Sequence, residues 1–196
     1  MKTLTLLLLL ALFASGCACC DAPCAADPIP ADRPGNRTLH QFSLETGTAG
    51  WEIEDDAVMG GRSRGRLEIN EAGNAVFSGD ISLENDGGFS SIQSDFGPID
   101  VSGYRAVHLG LKGDGKPYQV RVEADRDDRH AYAFDFPTSG NWEVVVIPFD
   151  EMAAIRHGDR LDLPPYPGRT LSRLQLLFGN GRAESFQIEI DRIWLE

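Results

Sequence analysis

Val107-His108-Leu109-Gly110-Leu111-Lys112-Gly113-Asp114-Gly115-Lys116-Pro117-Tyr118-Gln119-Val120-Arg121-Val122-Glu123 decides the fold class. Val107, Leu109 and Leu111 alternate with His108, Gly110 and Lys112. Tyr118, Val120 and Val122 alternate in the same way with Gln119, Arg121 and Glu123. A period of two describes a strand with one buried and one wet face. Gly113-Asp114-Gly115 lies between the runs, and an Asp-Gly pair accepts the positive φ of a tight turn, so the stretch predicts a β-hairpin. Its wet face would gather His108, Gln119, Arg121 and Glu123 into one polar surface, the best candidate binding face that alternation provides.

The same period extends outward. Strands are expected at Leu39–Leu44, Arg66–Ile69, Ala75–Leu83, Phe89–Ser94 and Ala131–Phe136. Asn180-Gly181 predicts a second hairpin between Leu171–Phe178 and Ser185–Leu195, where Phe186, Ile188, Ile190 and Trp194 share one parity that Arg192 breaks. Trp142–Phe149 is apolar on both parities, which reads as a central strand covered on both sides. Only Asp150–His157 reads as a helix, about two turns long. Many short strands with turn residues between them indicate an all-β sandwich with one short helix.

Composition narrows the function. With 30 acidic and 18 basic residues, the net charge of −12 excludes the basic stripe that nucleic-acid binding needs. Lys2 precedes the apolar run Leu4–Phe13, which ends in Ala14-Ser15-Gly16. That pattern describes a secretory signal over residues 1–16, too short for a membrane span of roughly 20 residues. The four cysteines, Cys17, Cys19, Cys20 and Cys24, fall together behind it and none lies in the body, which rules out a disulfide-stapled core. Small residues before Cys17 resemble the lipobox of bacterial lipoproteins, although Ala14 stands where that box carries Leu, Val or Ile. Cys17 is therefore the expected lipidation site, in preference to a soft-metal thiolate cluster. Residues 17–38, rich in cysteine and proline, read as an extended tether. The folded domain is 39–196, held on the periplasmic side of a membrane in the bacterial cell envelope.

The body shows no dinucleotide, P-loop, zinc-protease or Gly-x-Ser-x-Gly pattern. The histidines His40, His108, His130 and His157 are scattered. Glu54-Asp55-Asp56 and Asp125, Asp127, Asp128 lack the glycine-punctuated spacing of a calcium loop, so they read as solvated charge. No cofactor, metal or catalytic residue is expected. Trp51, Trp142 and Trp194 share parity with aliphatic residues or sit at strand boundaries, which favours the core over a sugar-stacking platform.

One stretch is more specific. Asp55-Asp56-Ala57-Val58-Met59-Gly60-Gly61-Arg62-Ser63, followed by Phe77-Ser78-Gly79-Asp80-Ile81-Ser82-Leu83-Glu84-Asn85-Asp86-Gly87-Gly88-Phe89, closely resembles the signature of the complex I intermediate-associated protein family. Asp100-Val101-Ser102-Gly103-Tyr104, Gly113-Asp114-Gly115 and Ile188-Glu189-Ile190-Asp191 continue the likeness in order. The resemblance implies a galactose-binding-like jelly roll. It also implies a non-catalytic assembly-factor or chaperone role toward a membrane complex, through an unidentified protein partner. A domain exported from the cytoplasm could not readily reach the cytoplasm-facing arm of that respiratory complex, so the fold transfers better than the task. Within the signature, Gly60, Gly61, Gly87 and Gly88 would relax the backbone, and Met59 and Phe89 would plug the core. Asp56, Ser63, Glu84 and Asn85 would tie the loops together. The alternative function is a carbohydrate-binding module at the cell envelope.

Overall fold

The computed structural model describes residues 35–196. The expected export signal, the four cysteines with the expected lipidation site Cys17, and nearly all of the expected tether lie outside the described residues. In chain order the strands are β1 (Arg37–Gln41), β2 (Trp51–Asp55), β3 (Arg64–Ile69), β4 (Ala75–Asp80), β5 (Ser90–Asp100), β6 (Ala106–Lys112) and β7 (Tyr118–Glu123). They continue with β8 (Ala131–Phe136), β9 (Trp142–Pro148), β10 (Ala153–Arg156), β11 (Asp159–Arg160), β12 (Thr170–Phe178) and β13 (Ser185–Leu195). Two antiparallel sheets result. One runs β3-β4-β13-β6-β9, with β1 paired along the end of β13, and the other runs β11-β10-β8-β7-β12-β5-β2.

The core is the space between the sheets. Phe77, Phe186, Ile188 and Ile190 fill it from one side, and Tyr118, Val120, Leu174, Leu176 and Phe178 from the other. Phe178 of one sheet stacks on Phe186 of the other at 4.5 Å between ring centroids. Each fully buried aliphatic or Phe side chain contributes about 1.5–3 kcal/mol. This all-β sandwich is the expected fold class.

Both expected hairpins are instead links from one sheet to the other. β6 pairs with β13 and β9, whereas β7 pairs with β12 and β8. β12 and β13 likewise belong to different sheets. Alternation records only that each strand buries one face, and strands facing each other across a core show the same pattern as strands paired edge to edge. The first link spans residues 113–117, longer than the two-residue loop of a tight hairpin. Its Asp114 carboxylate accepts hydrogen bonds from Lys116 Nζ (2.8 Å), Gln187 N (3.1 Å) and Tyr118 Oη (3.1 Å), which ties the crossing to β13.

Two further expectations are corrected, and one strand is added. β9 is an edge strand, not a central one, and its outward Val144 and Val146 are 37% and 47% exposed. β-branched residues suit any strand, so an apolar run does not by itself report two-sided burial. The helix expected at 150–157 is a single 3-10 turn, Phe149–Glu151, followed by the hairpin β10–β11. Met152 and Ala154 are buried at a spacing of two, and pairing to β8 outweighs helix propensity. β2 was not expected at all: Trp51-Glu52-Ile53-Glu54-Asp55 has only two apolar residues at period two.

Candidate functional site

The signature loops come first. Asp55 and Asp56, adjacent in sequence, clasp different partners. Asp55 accepts hydrogen bonds from Gly65 N at 3.1 Å and Ser90 Oγ at 2.6 Å, joining the edge strands β2 and β3 of opposite sheets. Asp56 is fully buried, and its carboxylate accepts from Ser63 N (2.9 Å), Ser63 Oγ, Gly88 N (2.6 Å) and Phe89 N (3.4 Å). Burial pushes its pKa up, but the Ser63 hydroxyl and the Gly88, Ser63 and Phe89 amides outweigh it and hold the group below the ordinary carboxylate range. Gly61 and Gly87 are the walls of this nest: a Cβ on either would meet the Asp56 carboxyl at 2.3 and 2.5 Å.

Around the nest, Ser63 Oγ also accepts from Ser82 N at 3.1 Å, and Asn85 Nδ2 donates to Gly60 O at 3.0 Å. Arg62 pairs with Glu84 at 2.8 Å, exposed on both sides and energetically minor. Asn85 and Asp86 are successive left-handed residues, at φ 56° and 59°, while Gly60 and Gly88 lie at φ 90° and 138°. Asp56, Gly60, Gly61, Ser63, Glu84, Asn85, Gly87 and Gly88 thus come together as one braced pair of loops. Met59 does not plug the core: it is 62% exposed, and Leu83 of the second signature segment is 46% exposed, while Phe89 is half-buried.

The polar face divides. Gln119, Arg121 and Glu123 line the outer surface of the seven-stranded sheet. His108 lies on the outer surface of the other sheet, stacked on Trp194 at 5.2 Å, with burial lowering its pKa against the pull of Glu196 at 3.8 Å. On the seven-stranded face, register sets Arg121 opposite Gln175, and Arg173 between Glu123 and Asp95. Arg173 Nε donates to Asp95 at 2.7 Å, and this bond together with Arg126 lowers the Asp95 pKa. Glu123 lies 3.6 Å from Arg173 and 3.7 Å from Arg126, yet burial still raises its pKa. Gln119 Nε2 donates to Asp135 at 2.7 Å, and Gln175 Nε2 donates to Ser91 Oγ at 2.9 Å.

Asp95, Gln175 and Arg173 belong to the polar face and escape a reading of the sequence. The wet parity of β12 and β5 contains them, but only the sheet order brings them beside β7. Among the described residues no group of three or more His, Cys, Asp or Glu could hold a metal ion. Trp51 and Trp194 are 7% and 1% exposed, and the outward positions of the seven-stranded sheet carry no aromatic ring except at its margins.

Residues 40–190 match the family described as Complex I intermediate-associated protein 30 (CIA30). Among solved structures, the chain is similar to a family 11 carbohydrate-binding module from Clostridium thermocellum in complex with a β-1,3-1,4-mixed-linked tetrasaccharide. The identity is 16% and the TM-score 0.57, over 82% of this chain and 94% of that one. A family 30 carbohydrate-binding module is similar at 12% identity and TM-score 0.55, over 82% of this chain and 98% of that one. At these identities the likeness is one of fold, the galactose-binding-like jelly roll.

Proposed function

The chain belongs to the Complex I intermediate-associated protein 30 family, and we propose that it is a non-catalytic module that binds a protein partner, tethered to a membrane of the cell envelope through a lipidated Cys17. One observation carries the binding part. The polar residues of the signature are consumed in bracing it, while Met59 and Leu83 stand out from the braced loops. A rigid backbone presenting a soft, adaptable methionine and a leucine lowers the ordering cost of docking. The family supports an assembly-factor-like role, and the net charge of −12 steers toward a basic partner surface. The tether part rests on the residues before Cys17, and mass spectrometry of the mature N-terminus tests it: an unmodified Cys17 would remove the anchor from the proposal.

The binding part is tested by affinity capture from native membranes with the wild-type chain and a Met59→Asp/Leu83→Asp variant. A glycan array is run on both. The expected result is a protein recovered with wild type and lost with the variant, while thermal stability stays unchanged. Reproducible sugar binding abolished by one tryptophan-to-alanine change, with no protein recovered, would establish the carbohydrate reading instead.

A further inference from the structure

Away from the signature loops, β7, the 124–130 loop, β8 and the β10–β11 turn border an open surface cleft of about 230 Å³ with Arg121 in its wall. Arg121 Nε donates to Gln119 Oε1, and no ion pair reaches its guanidinium from the described residues. Burial lowers its pKa, and Asp135 and Glu54 act on it only through space. Its neighbours differ: Arg173 and Arg126 are matched by Asp95 and Glu123. A cation drawn out of water without a partner is costly, and a binding site is where such a cost is offset by a ligand of opposite charge.

The surroundings point the same way. Arg129, Arg156, His130 and His157 line the same cleft. Of the carboxylates there, Glu123 is already engaged by Arg126 and Arg173, so Asp128 is the one other acid among three lining arginines. Three arginines against two carboxylates give this lining a net positive formal charge, on a chain of net charge −12. The backbone at Arg156 is set by the two-residue turn His157-Gly158, whose φ values are 52° and 90°, between the paired residues Arg156 and Asp159. His130 is oriented by Tyr132 Oη at 3.1 Å from its Nε2.

We propose that this cleft binds a phosphate group. The arginines come from three elements, β7, the 124–130 loop and β10. That arrangement suits a tetrahedral oxyanion with several acceptor oxygens, whereas a planar carboxylate is satisfied by one guanidinium fork. The volume is below the roughly 300–1,000 Å³ of sites for drug-sized molecules. The cleft therefore takes one charged group, either free phosphate or the phosphoryl end of a larger molecule.

Titration calorimetry on the full chain at fixed ionic strength tests this with inorganic phosphate, glycerol 3-phosphate and acetate. Saturable binding of phosphate or its ester is expected, at least tenfold tighter than acetate. Tighter binding of the ester identifies an esterified ligand, and tighter binding of phosphate a free one. Arg121→Gln should weaken binding at least tenfold, and Arg156→Gln several-fold, with Arg121→Lys retaining part of the affinity. Without ligand, Arg121→Gln should melt no lower than wild type, because it removes a half-buried cation that no carboxylate pairs with. Failure of both phosphates to bind, acetate binding as tightly, or an Arg121→Gln variant with unchanged affinity would each overturn the proposal.

Discussion

Replacing Asp56 by Ala removes the buried acceptor on which amides of both signature loops converge. Ser63 Oγ keeps a second acceptor, Ser82 O at 3.3 Å, but the Ser63, Gly88 and Phe89 amides lose the bonds described above. An orphaned donor costs about 1–3 kcal/mol, and water entering the vacated carboxyl volume recovers part of that. The net loss expected is about 3–5 kcal/mol, in the range of breaking a buried charged network. Urea unfolding of the full chain followed by tryptophan fluorescence measures it, with Glu71→Ala as an exposed control expected within about 0.5 kcal/mol of wild type. A shift below about 1 kcal/mol for Asp56→Ala, at an unchanged m-value, would refute the idea that the signature is a brace.

Gly87→Ala should cost about 1–3 kcal/mol, because its new Cβ meets the Asp56 carboxyl oxygen at 2.5 Å. In the Asp56→Ala background most of that cost should vanish, and a double-mutant cycle showing simple additivity would contradict the contact. Stability should also fall in acid. Burial raises the Asp56 and Asp114 pKa values but hydrogen bonds outweigh it, and the Arg173 hydrogen bond depresses Asp95. Each group therefore contributes stability that is present above its unfolded pKa of about 3.9 and is lost as pH falls through the lower folded value. Urea midpoints measured from pH 7 to pH 2 should decline below about pH 4, and Asp56→Asn should flatten that decline. An equally steep decline in the variant would assign the acid loss elsewhere.

The parity of Tyr118, Val120 and Val122 was legible because burial imposes a period of two on any strand with one wet face, and those three residues do face the core. Partnership was not legible. Gly113-Asp114-Gly115 carries turn chemistry, but whether a turn folds a strand back beside its neighbour or over it depends on long-range pairs such as β6 with β13. The same limit applies to His108, whose wet parity matches that of Arg121 although the two occupy opposite outer surfaces. In the signature, the short polar residues did reveal a loop-tying role for Asp56 and Ser63. The exposure of Met59 was hidden, because an apolar residue beside two glycines reads as a core plug, and no periodicity in a loop tells which way its side chain turns. The phosphate cleft has no sequence signal, since Arg121, Arg129 and Arg156 come from separate segments.

Whether the signature loops meet a protein is tested most directly by a photo-crosslinking residue at position 59, with the same residue at exposed position 71 as the control. Irradiation of cells carrying each variant, followed by blotting and mass spectrometry, should give one discrete protein adduct from position 59 and none from position 71. No adduct at position 59, or the same adducts from both positions, would contradict a partner docked on Met59 and Leu83.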